Sequence, residues 1–408
     1  MTGKKVTIPL LHDHHAHLSG KAAYIDCVDL SDVEDKKRAL SMIKEGCPED
    51  EMNVVKGWND SKFTLDQKSI KELPPVFIWN VSGHGLIFNE RAEERFKEKF
   101  ERSEIIEKMK DPEWVEKHLI ELSKLMMKIE GIDERKLDRT YDFLLERGIY
   151  EVDDMLLPSE EVLDMIKGSA YEERWKIYAD IDTYRGLSDK GKRQVEGIKL
   201  FADGALGTRT AAISVEYLDG SDGVLTLKKD ELKRSLNEIK KDKFSIHAIG
   251  DRSIDMIVEA VSEMEKEGLQ IPDIRIEHAQ FIGKKTAELA SSLDMTLSMQ
   301  PNFSIDSKNY SDRLPENYLK KNNPFRMLID EVGFVPGEDL IFGSDGLPYG
   351  VSEAVKNALY PSYEDQRLTL DELRRGYCID SEAPGKIELN IDDKKEEVTF
   401  DLKGVETA

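Results

Sequence analysis

The sequence predicts an α/β fold, a (β/α)8 TIM barrel with a large insertion after its first strand and a reduced β-hairpin at its end. Three observations predict it. Eight short, β-rich apolar runs recur along the 408 residues, and amphipathic helical segments separate most of them. One interval, 19–138, is far too long to be a simple connection. Strands alternating with helices imply a parallel sheet, and eight such units imply closure.

The runs fall at 6–11, 148–155 (GIYEVDDM), 175–181 (WKIYADI), 197–202 (GIKLFA), 244–249 (FSIHAI), 274–278 (IRIEH), 295–300 (MTLSMQ) and 340–343 (LIFG). Apolar residues at helical spacing mark 160–167, 228–241, 253–267 and 284–293 between them. The interval 19–138 has strand-like runs of its own, 53–57 and 75–82, and a helical run, 111–130. It is therefore read as a subdomain inserted over the catalytic face, where barrel loops carry function. Residues 1–18 supply the first strand, 139–378 the rest of the barrel, and 379–408 the terminal hairpin. In that hairpin Ile387, Leu389 and Ile391 alternate, a charged turn intervenes, and Val398, Phe400 and Leu402 alternate again.

Composition narrows the function. A hydrophobic fraction of 39% supports a real core, and no run approaches the roughly 20 apolar residues of a membrane span. The net charge of −23 argues against nucleic acid as a partner, because phosphate binding needs a basic surface. A small-molecule substrate fits better, and a homo-oligomer is left open. The first residues, MTGKKVTIPLLHDHHAH, lack the apolar core and cleavage site of a signal peptide. Three scattered cysteines, Cys27, Cys47 and Cys378, read as structural and point to a reducing cytoplasm.

The chemistry starts at Asp13-His14-His15-Ala16-His17, placed at the end of the first strand. Period-2 geometry turns Asp13, His15 and His17 to one side, and His12 and His14 to the other, where either could support the ligands from behind but packing behind the strand is the preferred reading. An HxH pair alone is weak evidence. Its weight comes from His247 in SIHAIGD, His278 closing RIEH and Asp345 after LIFGS, each near the C-terminal end of its own strand. Imidazoles with a carboxylate suit zinc, with iron or manganese as alternatives, as one or two ions. A cation there brings a water's pKa towards neutrality, and Asp345 is placed to be both ligand and general base. Lys199, in the middle of GIKLFADG, is a costly charge inside a barrel strand. Either it pairs with an acid such as Asp203, or its lowered pKa lets it take up carbon dioxide as a carbamate bridging two metals. His118 lies on a helix surface and carries no role.

These motifs resemble the amidohydrolase superfamily, in the branch of amidohydrolase family 3 that includes N-substituted formamide deformylase. Asp13-x-His15-x-His17 resembles the first-strand motif. Gly57-Trp58-Asn59-Asp60, Ser82-Gly83-His84 and Asn89 resemble landmarks of the insertion, and KLFADGALGTRT from Lys199 resembles the fourth-strand signature. His247-Ala-Ile-Gly-Asp251, Glu277-His278-Ala-Gln280 and Gly343-Ser-Asp345 complete a set running from about Pro9 to Tyr377. The resemblance implies metal ligands at His15, His17, His247 and His278, a carboxylated ligand at Lys199, and Asp345 as ligand and base. His84, Trp58 and Arg209 are the residues read as contacting substrate. Against the family's pattern, few residues precede the first strand, the tail is reduced to the hairpin where a β-sandwich is usual, and Asn59 stands where an Asp is usual.

The function implied is metal-dependent hydrolysis of a carbon–nitrogen bond other than a peptide bond, in a small amide, formamide or cyclic amide. The same machinery would serve an ester or lactone. A catalytically inactive barrel is the alternative of a different class, and loss of any ligand would favour it.

Overall fold

The computed structural model describes residues 3–60, 62–81, 85–100, 104–111, 114–115, 118–379 and 384–405. Its strands begin with β1 (Lys4–Ile8), β2 (Leu11–Ala16), β3 (Asn53–Trp58), β4 (Val76–Asn80), β5 (Leu86–Phe88), β6 (Ile149–Asp154) and β7 (Trp175–Asp180). They continue with β8 (Gly197–Phe201), β9 (Lys243–Ala248), β10 (Asp273–His278), β11 (Thr296–Met299), β12 (Leu340–Phe342), β13 (Lys386–Asp392) and β14 (Glu397–Lys403). The chain divides into two compact units, Met1–Leu18 with Thr140–Ala408, and Ser19–Arg139. Among the described residues no helix is long and apolar enough to cross a membrane.

The first unit is the barrel. Eight strands lie in the order β2-β6-β7-β8-β9-β10-β11-β12, with every pairing parallel. Helices separate most of them, among them Glu160–Gly168, Lys229–Glu238, Asp251–Lys266 and Lys284–Ser292. The last gap is closed by single contacts. Asp345 N donates to His15 O at 2.7 Å, and Ser344 N donates to the Asp13 carboxylate at 2.8 Å. Asp13 is fully buried and also accepts from the Ser344 hydroxyl and from His15 N.

The start of the chain corrects the sequence reading. The run 6–11 is not one strand. Lys4–Ile8 pairs antiparallel with β13, which pairs with β14, so the terminal hairpin is completed to three strands by the chain's beginning. Pro9 has no N–H to give a ladder and ends the strand; the barrel strand starts afresh at Leu11, whose N–H donates to Gly148 O at 2.8 Å. The Asp13–His17 motif consequently begins inside the barrel strand instead of after its end. Register shifts at Leu11/His12 and between Asp13 and Ala16 also break strict period-2 alternation.

The second unit is built on the sheet β3-β4-β5, parallel and then antiparallel. Alternation serves it on both faces. Val55, Val76 and Ile78 enter one apolar cluster, whereas Val54, Phe77, Trp79 and Phe88 enter another with the helix Leu119–Glu130. Asn89 ties its turns together: it caps a helix through Ala92 N and donates to the carbonyls of Ile70, Leu73 and Pro74 at 2.9–3.1 Å.

The seam between β12 and β2 is tightest at Gly343, where an added Cβ would stand 2.4 Å from His15 N and 2.9 Å from the Asp13 carboxylate. Gly343→Ala is expected to cost about 1–3 kcal/mol by forcing the seam apart, read as a lower denaturation midpoint. An unchanged midpoint would show that the seam is not under this constraint.

Candidate metal centre

Inward-facing polar side chains converge at the strand ends of the barrel. His15 comes from β2, His247 from β9, His278 is the last residue of β10, and Asp345 follows β12. His278, Ala279 and Asp345 have φ of 71°, 47° and 55°, a left-handed conformation that non-glycine residues adopt at a cost of about 1–3 kcal/mol each. Such strain is held where it aims a side chain, and both His278 and Asp345 are aimed at the centre.

One donor atom each from His15, His278 and Asp345 lie within 4.8 Å of one another. His15 Nε2 is 3.5 Å and His17 Nε2 3.2 Å from Asp345 Oδ1. The His15 ring centroid is 4.7 Å from that of His278, which is 4.5 Å from that of His247. Tetrahedral bonds of about 2.0–2.1 Å would hold donor atoms about 3.3 Å apart, so the spacings around Asp345 fit a shared divalent cation.

The other ring nitrogens are already engaged, which fixes the tautomers. His15 Nδ1 donates to Glu277 Oε2 at 2.5 Å, leaving Nε2 for the centre. His278 Nδ1 donates to Gln300 Oε1 at 2.7 Å, and the Gln300 amide nitrogen donates to Ser298 O, consistent with that amide orientation. His247 Nε2 donates to Gly204 O at 3.0 Å, so Nδ1 is its open nitrogen. Burial pushes the His15 imidazole down to about 4, with Lys199 adding to the effect, and pushes His278 down to about 3, helped by His15. His247 also falls well below the usual range, through burial and the neighbouring His278. All three are neutral at pH 7 and present a lone pair, the state a cation requires. For Asp345 burial pushes the carboxyl up, but His15 and His17 outweigh it and the net shift is downwards, so it is a carboxylate.

Lys199 faces the same interior and is 1% exposed, and its ammonium nitrogen has no hydrogen-bond partner among the described residues. The pairing with Asp203 is not what forms. Asp203 accepts from Ala212 N, Ile249 N, Gly250 N and the Ser253 hydroxyl, at 2.8–3.0 Å. Burial pushes the Lys199 amine down to about 8, against the opposing pull of Glu277.

Of the remaining expected site residues, Arg209 follows β8 with φ 59° and its Nε lies 3.2 Å from Asp219. Trp58 belongs to the second unit, where its buried indole donates to Phe63 O at 3.0 Å. Beside it Gly57 has φ 81°, and a Cβ there would stand 2.6 Å from Ser31 N. His84 lies outside the described residues.

Beneath the candidate ligands lies a support that strand-end patterning does not predict. Glu277 is fully buried and accepts from His15, from the Ser245 hydroxyl at 2.6 Å and from Arg275 Nε. Arg275 in turn donates to Asp153 at 2.6 Å and to His14 O at 2.6 Å. Burial alone would raise Glu277, but Arg275, His15 and Lys199 hold it well below the usual carboxylate range. The signal was present: Arg275 and Glu277 are charges at period 2 in a barrel strand, the same anomaly that singled out Lys199.

Comparison with known proteins agrees with this architecture. The sequence model of the amidohydrolase family matches residues 3–354. Protein LONG AFTER FAR-RED 3 of Arabidopsis thaliana is 26% identical over 357 residues, covering 74% of this chain and 60% of the relative. YtcJ of Bacillus subtilis (strain 168) is 23% identical over 370 residues, covering 80% of this chain and 68% of that protein. The chain thus spans about 60% of the length of the plant relative. An uncharacterized metal-dependent hydrolase from Pyrococcus horikoshii OT3 shares the fold, with a TM-score of 0.64 at 22% identity over 87% of this chain and 74% of that one.

Two outcomes test the centre. Glu277→Gln is expected to weaken divalent-metal affinity about 10–100-fold by releasing the His15 ring, read by chelator competition; an unchanged affinity would remove Glu277 from the site. In metal-free protein the Lys199 amine titrates near 8 when folded and near 10.5 when unfolded, so the folded state holds fewer protons between those values. Stability is therefore expected to rise with pH over that window. Lys199→Met should flatten this part of the profile and stabilise the protein at pH 7 by an amount of order 3 kcal/mol. Parallel profiles for the two proteins would contradict the buried, unpaired cation.

Proposed function

The chain belongs to the amidohydrolase family, and on that premise we propose that it is a metal-dependent hydrolase of a small amide, formamide or cyclic amide. The bond cleaved is carbon–nitrogen and non-peptide. The observation that carries the reading is the convergence of neutral imidazoles on one carboxylate, with His15, His278 and Asp345 donors within 4.8 Å of one another. His15, His17, His247, His278 and Asp345 would hold the cation, with zinc as the expected ion and iron or manganese as alternatives. When bound, it supplies Lewis acidity to the substrate carbonyl and acidifies the attacking water.

The chain's own groups do the rest. Asp345, ionised and 16% exposed at its side chain, accepts the proton of the attacking water at a carboxylate oxygen and passes it to the leaving nitrogen. Glu277 holds His15 in the tautomer that keeps Nε2 open. Gln300 does the same for His278. The Lys199 ammonium, with its lowered pKa, gives up one proton to become a neutral amine, whose nitrogen lone pair bonds to the carbon of carbon dioxide while a C–O π pair moves onto oxygen. A second proton then leaves nitrogen, and the positive charge has become a negative carbamate. That inversion would relieve the buried cation and add two oxygens to the ligand set, enough to serve a second ion. Arg209, on the turn after β8, is the residue proposed to hold a substrate oxygen, in exchange for Asp219.

The test is an assay panel of amides, formamides, cyclic amides, esters and lactones with metal-loaded protein. Turnover of a nitrogen-leaving substrate, abolished by chelation and restored by zinc, is expected. Exclusive ester or lactone turnover would replace the bond assignment. Asp345→Asn should lose about 10²–10⁴-fold in turnover while retaining much of its metal. Near wild-type turnover would place the base elsewhere.

A further inference from the structure

The residues on β2 expected merely to pack behind the strand form a second cluster. His12 is buried, with Nε2 2.7 Å from Asp153 Oδ1 and Nδ1 3.4 Å from Glu151 Oε2. His14 Nδ1 lies 3.7 Å from Asp153 Oδ2, and the two imidazole centroids are 3.7 Å apart. One donor atom each from His12, His14 and Asp153 lie within 4.8 Å of one another. That spacing admits the roughly 3.3 Å between ligand atoms of a tetrahedral ion, with His12 Nε2 and Asp153 Oδ1, now 2.7 Å apart, having to part by about half an ångström.

The cluster opens into a cavity of about 320 Å³ lined by His12, His14, Glu151, Lys176, Arg375 and Cys378. Lys176 is the second residue of β7. An adjoining cavity of about 180 Å³, also lined by His14 and Asp153, reaches Lys243, Asp273 and Thr296, the first residues of β9, β10 and β11. This is the mouth at the strand starts, opposite the end where His278 and Asp345 sit. Arg275 takes one Asp153 oxygen, Oδ2, at 2.6 Å, leaving Oδ1 directed at His12.

We propose that His12, His14 and Asp153 form a second cation site, for a first-row divalent transition metal, at the N-terminal mouth of the barrel. Two imidazoles select such an ion over calcium or magnesium, which prefer oxygen ligands. Glu151, beside His12 Nδ1, is placed to orient that ring with Nε2 towards the ion, and the cavity supplies entry and water. The site joins β2 to β6 and lies on the barrel face that serves stability, so its cation is structural. It is connected to the candidate centre through Asp153, Arg275, Glu277 and His15. The proposal does not depend on the hydrolase reading.

The experiment counts bound cobalt per chain by equilibrium dialysis, using the full-length protein. A His15→Asn/His17→Asn variant is expected to keep one equivalent that His14→Asn, added to it, removes, with a lower thermal midpoint in cobalt. Equal cobalt content in the two variants would overturn the proposal. Should the combined variant fail to fold, His14→Cys in the wild-type background keeps a ligand at the position. It is expected to retain its cobalt and to show a thiolate-to-cobalt charge-transfer band that wild-type protein lacks. A folded, cobalt-loaded His14→Cys protein without that band would refute the site.

Discussion

The contact between Glu277 Oε2 and His15 Nδ1, 2.5 Å long and wholly buried, is the interaction on which the rest of the centre depends. A carboxylate in that position is tolerable only because Arg275 and Ser245 also bond to it. Arg275 is tolerable because Asp153 shares its charge. A barrel interior would otherwise be filled with branched apolar side chains. Here it is committed to a chain of paired charges that terminates in an imidazole with one nitrogen occupied and the other free. Lys199 is the exception in that chain, a buried amine with no hydrogen-bond partner among the described residues. Its environment pushes it towards neutrality, and a neutral amine is the reactive form.

Closure of the sheet serves the same end. Because β12 meets β2 through Asp345 N and Ser344 instead of a continuous ladder, the backbone at Asp345 is free to take its left-handed conformation. The seam that completes the barrel is thus also the place where His15, His17 and Asp345 are brought together. Fold and site share one set of contacts, and Asp13, beside His15 yet bonded to Ser344, belongs to the fold.

Much of this was legible in the chain. Seven of the eight barrel strands follow from apolar, β-rich runs, and the converging candidate ligands are charged or imidazole residues on or just after such runs. The first strand differs because hydropathy does not show that Pro9 interrupts a ladder and that the preceding residues pair with β13, whose Ile387 is the partner of Ile8. For His12 and His14 period 2 assigns a face and not a partner, so the sequence favours packing; the partner, Asp153, comes from β6. The tautomer-fixing roles of Glu277 and Gln300 are likewise long-range facts. Asn89 and Gly57 stand out in the sequence as landmarks of the insertion, and the structure shows that both hold the turns of the second unit. The family match identifies the scaffold, and function on such a scaffold is set by loops that vary around it.

The most direct measurement of the central claim is an anomalous difference map from crystals of zinc-loaded protein, collected at the zinc edge. The account predicts a peak bonded to His15 Nε2, His17 Nε2 and Asp345 at about 2.0–2.2 Å, with Lys199 carrying extra density if a second peak adjoins it. A fully loaded, active protein with no peak among these residues would contradict it.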